Sequence, residues 1–191
     1  MDLSETNRKK ILIRWSRVHT AEQEYISTHA MKNESLKARL HGYLCGDGSV
    51  TRRKERANEK MHHEIRFYPD HVSMAASFID AFHLVYGKRL RLKELTNHYL
   101  VNLNSKIIAN DLLRDGSLSS MEWRVPVWVV CNQENSKEWL RAFFDSEAYV
   151  NDKEIRTAWL GRIFIRNLAM VFDPYLEKQQ LASRPLFSKT L

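Results

Sequence analysis

Two stretches of this chain lie over one another without a gap at an offset of 100 residues, and each ends in a carboxylate. Leu40-His41-Gly42-Tyr43-Leu44-Cys45-Gly46-Asp47-Gly48 stands against Leu140-Arg141-Ala142-Phe143-Phe144-Asp145-Ser146-Glu147-Ala148, and Val50 and Val150 follow in step. Both stretches carry apolar residues at helical spacing. Gly42 and Gly46 lie four apart, as do Ala142 and Ser146, so each helix presents a stripe of small residues. Small side chains at that spacing let two helix backbones approach closely. If the stripes face one another about a pseudo-twofold axis, Asp47 and Glu147 end side by side at two helix C-termini. That juxtaposition is costly, because helix C-termini carry partial negative charge and like carboxylates repel. A divalent cation offsets the repulsion. Oxygen-only ligation completed by waters and phosphate oxygens suits Mg²⁺. Two such ions about 3.5–4 Å apart can clamp the attacking and leaving oxygens of a phosphodiester.

The rest of the chain must position those acids. Its 191 residues suffice for one full domain or two small ones. With 30 Lys+Arg against 23 Asp+Glu the formal charge is +7, which favours a polyanionic partner through counterion release. Cys45 and Cys131 stand far apart with no paired spacing, which excludes a disulfide framework or a cysteine zinc site and points to a reducing compartment. No stretch reaches the ~20 apolar residues a membrane span needs. The polar run Met1–Lys10 has no apolar signal core. A soluble, intracellular, cytoplasmic protein with no membrane partner is expected.

Along the chain, residues 3–30 read as one or two basic amphipathic helices, with Ser4 as a cap and Ile11, Leu12, Trp15 and Val18 at helical spacing, expected to pack on the domain that follows, with a helix-turn-helix remnant as the alternative. The helix from Glu34 to Gly46 stops at Asp47-Gly48-Ser49, where a glycine is the usual terminator. A basic loop with Arg52, Arg53, Lys54, Arg56 and Lys60 is expected next. Glu64, Arg66 and Tyr68 then alternate with Ile65 and Phe67 as in a strand. Asp70 is placed to cap a helix whose apolar face holds Val72, Ala75, Ala76, Ile79, Phe82 and Tyr86, ending at Gly87. Arg89, Arg91 and Lys93 fall opposite Leu90 and Leu92, and after a turn at Thr96-Asn97 the residues Tyr99, Val101 and Leu103 alternate with His98, Leu100, Asn102 and Asn104. This pattern predicts an antiparallel hairpin with one core face and one basic, polar face. A short helix over about 105–113, the apolar run Val125–Val130 and a helix over about 136–146 complete the series.

The two matched stretches resemble the paired motifs of the LAGLIDADG homing endonucleases of the single-chain kind, and the Trp123-Arg124-Val125-Pro126 run ahead of the second is similar to family members as well. The likeness covers roughly residues 34–160. It implies an α+β fold built from pseudo-twofold αββαββα repeats, whose antiparallel sheets form a saddle over double-stranded DNA. It also implies that Asp47 and Glu147, the eighth residue of each motif, bind Mg²⁺ and cut both strands of a long target. On that mapping Arg66, Tyr68, Arg89, Arg91 and Lys93 lie on the DNA-facing side, and the basic run with Arg52 and Arg53 joins them as DNA contacts. The same resemblance divides the chain into an N-terminal helical segment (1–33), a first repeat (34–135) and a shortened second repeat (136–191).

Three departures from the family pattern stand out. Ala148 replaces the glycine that ends the motif, a change that costs on the order of 1 kcal/mol if the position needs positive φ. Only 43 residues follow position 148, enough for a hairpin near Tyr149–Trp159 and a helix near Gly161–Phe172 but not for a second full half. The basic residue that assists the attacking water has three candidates, Lys93, Lys106 and Lys153. Completion of the second half by dimerisation, or a monomer, are both open. The reading therefore holds three functions: an Mg²⁺-dependent DNA endonuclease, a DNA-binding protein of the same scaffold that no longer cleaves, and an RNA-binding maturase of its host intron. His62, His63 and His71 stand without the further ligands a zinc site needs, and no Walker loop, nucleophile elbow or dinucleotide fingerprint is present.

Overall fold

The structure is a computed structural model that describes residues 5–29, 32–54, 61–96, 98–118, 122–150 and 155–157. It divides into two units, Met1–Ser146 and Glu147–Leu191. The first unit opens with α1 (Glu5–His29) and α2 (Glu34–Gly46), followed by β1 (Gly48–Lys54), β2 (Met61–Phe67), α3 (Val72–Tyr86), β3 (Leu92–Glu94), β4 (Tyr99–Asn104) and α4 (Lys106–Leu112). The short α5 (Val127–Val130) then leads into α6 (Gln133–Glu147), whose last residue opens the second unit. From α2 to α4 the order is αββαββα, and the four strands form one antiparallel sheet in the order β1-β2-β4-β3.

Register decides which side of each strand meets the core. Val50 pairs with Ile65, Ile65 with Leu103 and Phe67 with Val101. Of these, Val50, Ile65, Phe67 and Val101 are buried. The helices cover this face: the Phe67 ring stacks on Phe78 of α3 at 4.5 Å and meets Tyr43 of α2 at 5.2 Å. Each fully buried aromatic or aliphatic side chain of this kind contributes about 1.5–3 kcal/mol of transfer free energy.

Helix ends follow local chemistry. Gly87 ends α3 in the left-handed conformation, φ 66°, and donates its N–H to the His83 carbonyl at 2.8 Å. Ser105 caps α4, its hydroxyl accepting from the Ile108 N–H at 3.2 Å. Asn132 does the same for α6, its side-chain carbonyl accepting from the N–H groups of Glu134 and Asn135. Asp70 does not cap α3. The capping position is His71, whose side chain makes no capping bond.

Three further expectations are corrected. Arg52, Arg53 and Lys54 belong to β1 and not to a loop, because they pair with His63, His62 and Met61, and β2 accordingly begins at Met61. Past Val50 the residues of this strand are exposed, so nothing apolar marks it in the sequence. The strand expected from Arg89 onward is only three residues long, since β3 meets β4 solely through Leu92, Lys93 and Glu94. Arg89 and Arg91 precede it, exposed on either side of buried Leu90. The apolar residues of the first half of α1 do not pack inward; Ile11, Leu12, Trp15 and Val18 are exposed.

The second unit holds an antiparallel hairpin, β5 (Ala148–Val150) and β6 (Ile155–Thr157), with Tyr149 opposite Arg156. The Ser4 cap, Arg56, Lys60, Asn97, Lys153 and the helix expected near 161–172 lie outside the described residues. Among the described residues, no helix is long and apolar enough to cross a membrane.

Candidate functional site

Gly42 of α2 lies directly against α6. A Cβ built on Gly42 would stand 2.4 Å from the Trp139 carbonyl oxygen and 3.1 Å from the Ala142 Cβ, so α2 and α6 touch backbone to backbone there. Polar contacts run along the same seam. Asn135 donates to Glu34 at 3.2 Å, Arg39 pairs with Glu138, the Trp139 indole N–H donates to His41 Nδ1 at 2.9 Å, and the Tyr43 hydroxyl donates to Asp145 at 3.5 Å. Partners advance together along both chains, so the two helices run in the same direction with residue n of α2 near residue n+100 of α6.

Burial governs the chemistry of this seam. It pushes the His41 imidazole down to about 4, leaving it neutral with Nδ1 free to accept from Trp139. It also raises the Cys45 thiol, whose sulfur lies 3.4 Å from the same nitrogen, so this cysteine is an inert core residue. Tyr43 is likewise raised, chiefly by burial.

Asp47 caps α2 and is half-buried, and its carbonyl accepts from the Tyr68 N–H at 2.9 Å. The chain turns straight from α2 into β1 at Gly48. A Cβ at that position would come within 2.5 Å of the Leu44 Cα. Among the described glycines only Gly87 and Gly116 have positive φ, so Gly48 is required by space and not by a left-handed backbone. Beside Asp47 opens a cavity of about 450 Å³ lined by Tyr68, Asp70, Glu94, His98 and Tyr99 among others. The Tyr68 and His98 rings lie 5.9 Å apart within it. Asp70, Glu94 and His98 were not candidates from the sequence; the placing of β4 between β2 and β3 brings the turns at the ends of these strands together. Glu147 ends α6; it is half-buried, and that burial raises its carboxyl above the usual carboxylate range.

The sheet face turned away from the helices is polar. Register places Ser49, Thr51 and Arg53 of β1 there, with His62, Glu64 and Arg66 of β2, Lys93 of β3, and Leu100, Asn102 and Asn104 of β4. Arg53, Arg66 and Lys93 thus share one face, while Arg52 falls with His63 on the opposite parity. His63 is pushed down by desolvation and by the nearby cations Arg52 and Lys106. Arg66 pairs with Glu64 at 2.6 Å on the outer face, and this partner raises its guanidinium. Thr51 and His62 complete the polar surface. The Arg52-Arg53-Lys54 run gives no periodicity by which the sequence could assign its sides.

No family model matches the chain, and no curated protein matches it. Solved structures do. A structure of the homing endonuclease I-DmoI in complex with its nicked target DNA and Mn is similar with a TM-score of 0.57 at 9% identity, covering 74% of this chain and 76% of that one. Mesophilic variants of I-DmoI give 0.57 at 11% identity over the same shares. I-DmoI with DNA and Mn gives 0.55 at 11% identity, over 74% and 77%. At these identities the likeness establishes the fold. This chain shares the α+β fold of those structures.

Proposed function

We propose that the chain is a double-stranded DNA endonuclease of the LAGLIDADG type, with Asp47 and Glu147 as its catalytic acids. The observation that carries the reading is the parallel, in-register run of α2 beside α6, pressed together at Gly42 and Ala142. Each helix leads directly into an acid at the same place in its repeat. The outer face of the sheet supplies the second requirement, a surface with Arg53, Arg66 and Lys93 among hydrogen-bonding Thr51, Asn102 and Asn104. Cations on such a face neutralise phosphates, while asparagine and arginine side chains read base edges in the major groove. The solved relatives were captured with DNA and Mn or Ca, the company this proposal assigns to the present chain.

A divalent cation suits the donor set. An ion that takes one or two carboxylates and keeps waters and phosphate oxygens fits one acid from each helix. The raised Glu147 carboxyl points the same way, since a cation stabilises the ionised form that burial disfavours. Mg²⁺ is the proposed ion, and when bound it would lower the pKa of a water and neutralise charge on the phosphate. The protein's part is to position the acids and the phosphodiester, while the cation would keep Glu147 ionised.

Incubation with a randomised duplex library and Mg²⁺, followed by sequencing of cut ends, should return one long recognition sequence. Asp47→Asn or Glu147→Gln should abolish cutting and leave binding intact. Unchanged cleavage by both variants would overturn the assignment.

A further inference from the structure

We infer that the first half of α1 is a docking arm for an amphipathic helix of a partner protein whose flanks are acidic. The helix has 25 residues and is about 37 Å long at 1.5 Å per residue. Positions 11, 15, 18, 22, 25 and 29 follow one another at steps of four and three, the spacing of a helix-packing seam. The lower part of that seam is occupied by the protein itself. Glu22 is buried, accepts from the Ser105 hydroxyl at 2.8 Å and pairs with Lys88 at 3.1 Å. The Tyr25 ring covers Gly87, where a Cβ would approach it to 2.9 Å, and its hydroxyl donates to the Leu84 carbonyl at 3.4 Å.

Above Glu22 the same seam continues bare. Ile11 is 42% exposed, Trp15 56% and Val18 37%, with Leu12 at 68% beside them. Four large apolar side chains exposed within two turns of one another on a helix mark an interaction site, with Ile13 exposed away from the seam. Its charge says what kind. Arg8, Lys9, Lys10, Arg14 and Arg17 against Glu5 give this half-helix +4 of the chain's +7. Two such arms side by side would repel, which disfavours a second copy of the chain. Acidic residues flanking an apolar seam satisfy both features at once. DNA on the sheet is not the occupant, because α1 packs on α3 and α4, the helical layer behind the sheet. A nucleic acid would also neutralise the cations while leaving the isoleucine and leucine side chains with little apolar surface to meet.

The test uses the full-length protein and a synthetic helical peptide with leucine at its seam positions and glutamate at its flanks, read by fluorescence anisotropy. A lysine-flanked peptide of the same seam, vesicles of phosphatidylglycerol and phosphatidylcholine, and an RNA hairpin are the alternatives. The glutamate-flanked peptide should bind, and the lysine-flanked one should bind at least roughly tenfold more weakly. The triple variant Ile11→Ser, Trp15→Ser, Val18→Ser should lose the peptide at least roughly tenfold with unchanged thermal unfolding, since these side chains are exposed. Arg14→Glu with Arg17→Glu, which leaves the seam intact, should exchange the preference between the two peptides. Equal affinity for both peptides, or binding indifferent to the seam variant, would overturn the inference. So would vesicle or RNA binding that requires the seam without peptide binding, or a dimer in sedimentation that the seam variant dissolves. DNA cleavage is not read in any arm of this experiment, so its outcome is independent of the proposed nuclease function.

Discussion

Gly42 meets Trp139 backbone to backbone: a Cβ on the glycine would lie 2.4 Å from the tryptophan carbonyl oxygen. An oxygen held in helix hydrogen bonding cannot swing aside as a side chain can, so even alanine must force α2 and α6 apart. Gly42→Ala is therefore expected to destabilise the protein by about 1–3 kcal/mol, the usual cost of overpacking, despite alanine's better helix propensity. If the helix pair positions the acids, cleavage should fall more steeply than the folded fraction does. Urea unfolding followed by single-turnover cleavage at full folding checks both. Stability equal to the parent protein would show that the helices have room to spare.

Neighbouring arginines on β1 offer a sharper test of the proposed DNA-facing surface. Arg53 lies opposite His62 on the outer face with Arg66 and Lys93, whereas Arg52 lies opposite His63 on the parity of Val50 and Ile65. Arg53→Ala should weaken duplex binding and lower the slope of log K against log salt by about one, as expected for one lost phosphate contact. Arg52→Ala should change the slope by clearly less. Equal effects, or the reverse order, would mean that the duplex does not lie on this face.

Much of this arrangement was legible in the sequence because the core announces itself by periodicity. Residues of α2 meet partners in α6 about 100 positions further on, and the alternation of Ile65 and Phe67 with Glu64 and Arg66 matches their burial. Legibility fails where burial stops contributing. Arg52 to Lys54 are exposed on their strand, so they carry no apolar mark. The exposed half of α1 keeps the apolar pattern of a packed helix, and the pattern cannot state that the covering surface belongs to another molecule. The need for Gly48 was visible but its cause was not: the limit is the 2.5 Å approach to the Leu44 Cα, and no dihedral is unusual. The sequence sets Asp47 and Glu147 at matching places in two similar stretches, whereas the cavity beside Asp47 depends on residues from two turns that share no pattern.

His41 gives the helix seam a pH dependence. Burial lowers its pKa from 6.5 to about 4, so below pH 6.5 the unfolded chain binds a proton that the folded chain refuses. Stability contributed by the neutral imidazole is full above pH 6.5 and is lost as pH falls toward 4. The loss over that window is on the order of 3 kcal/mol. His41→Asn should flatten the dependence between pH 6.5 and 4.5, at the cost of a weakened bond to the Trp139 indole. Urea midpoints measured across that range decide it, and a parent protein whose midpoint does not move would place the titration elsewhere.

Glu147 carries the opposite sign. Its carboxyl is raised by burial, so the folded protein favours the protonated form, and ionisation becomes a destabilising load as pH rises past the raised value. In metal-free buffer at pH 8, Glu147→Gln should therefore melt slightly above the parent protein. The advantage should fade on acidification. Added Mg²⁺ should raise the melting temperature of the parent more than that of the variant, because only the parent has a charge for the ion to neutralise. The same linkage puts an acid limb on cleavage, at a pH above that of an ordinary glutamate, since the ion competes with a proton for this oxygen. Equal Mg²⁺ stabilisation of the two proteins would separate Glu147 from the ion, and Asp47 would then have to find its partner elsewhere.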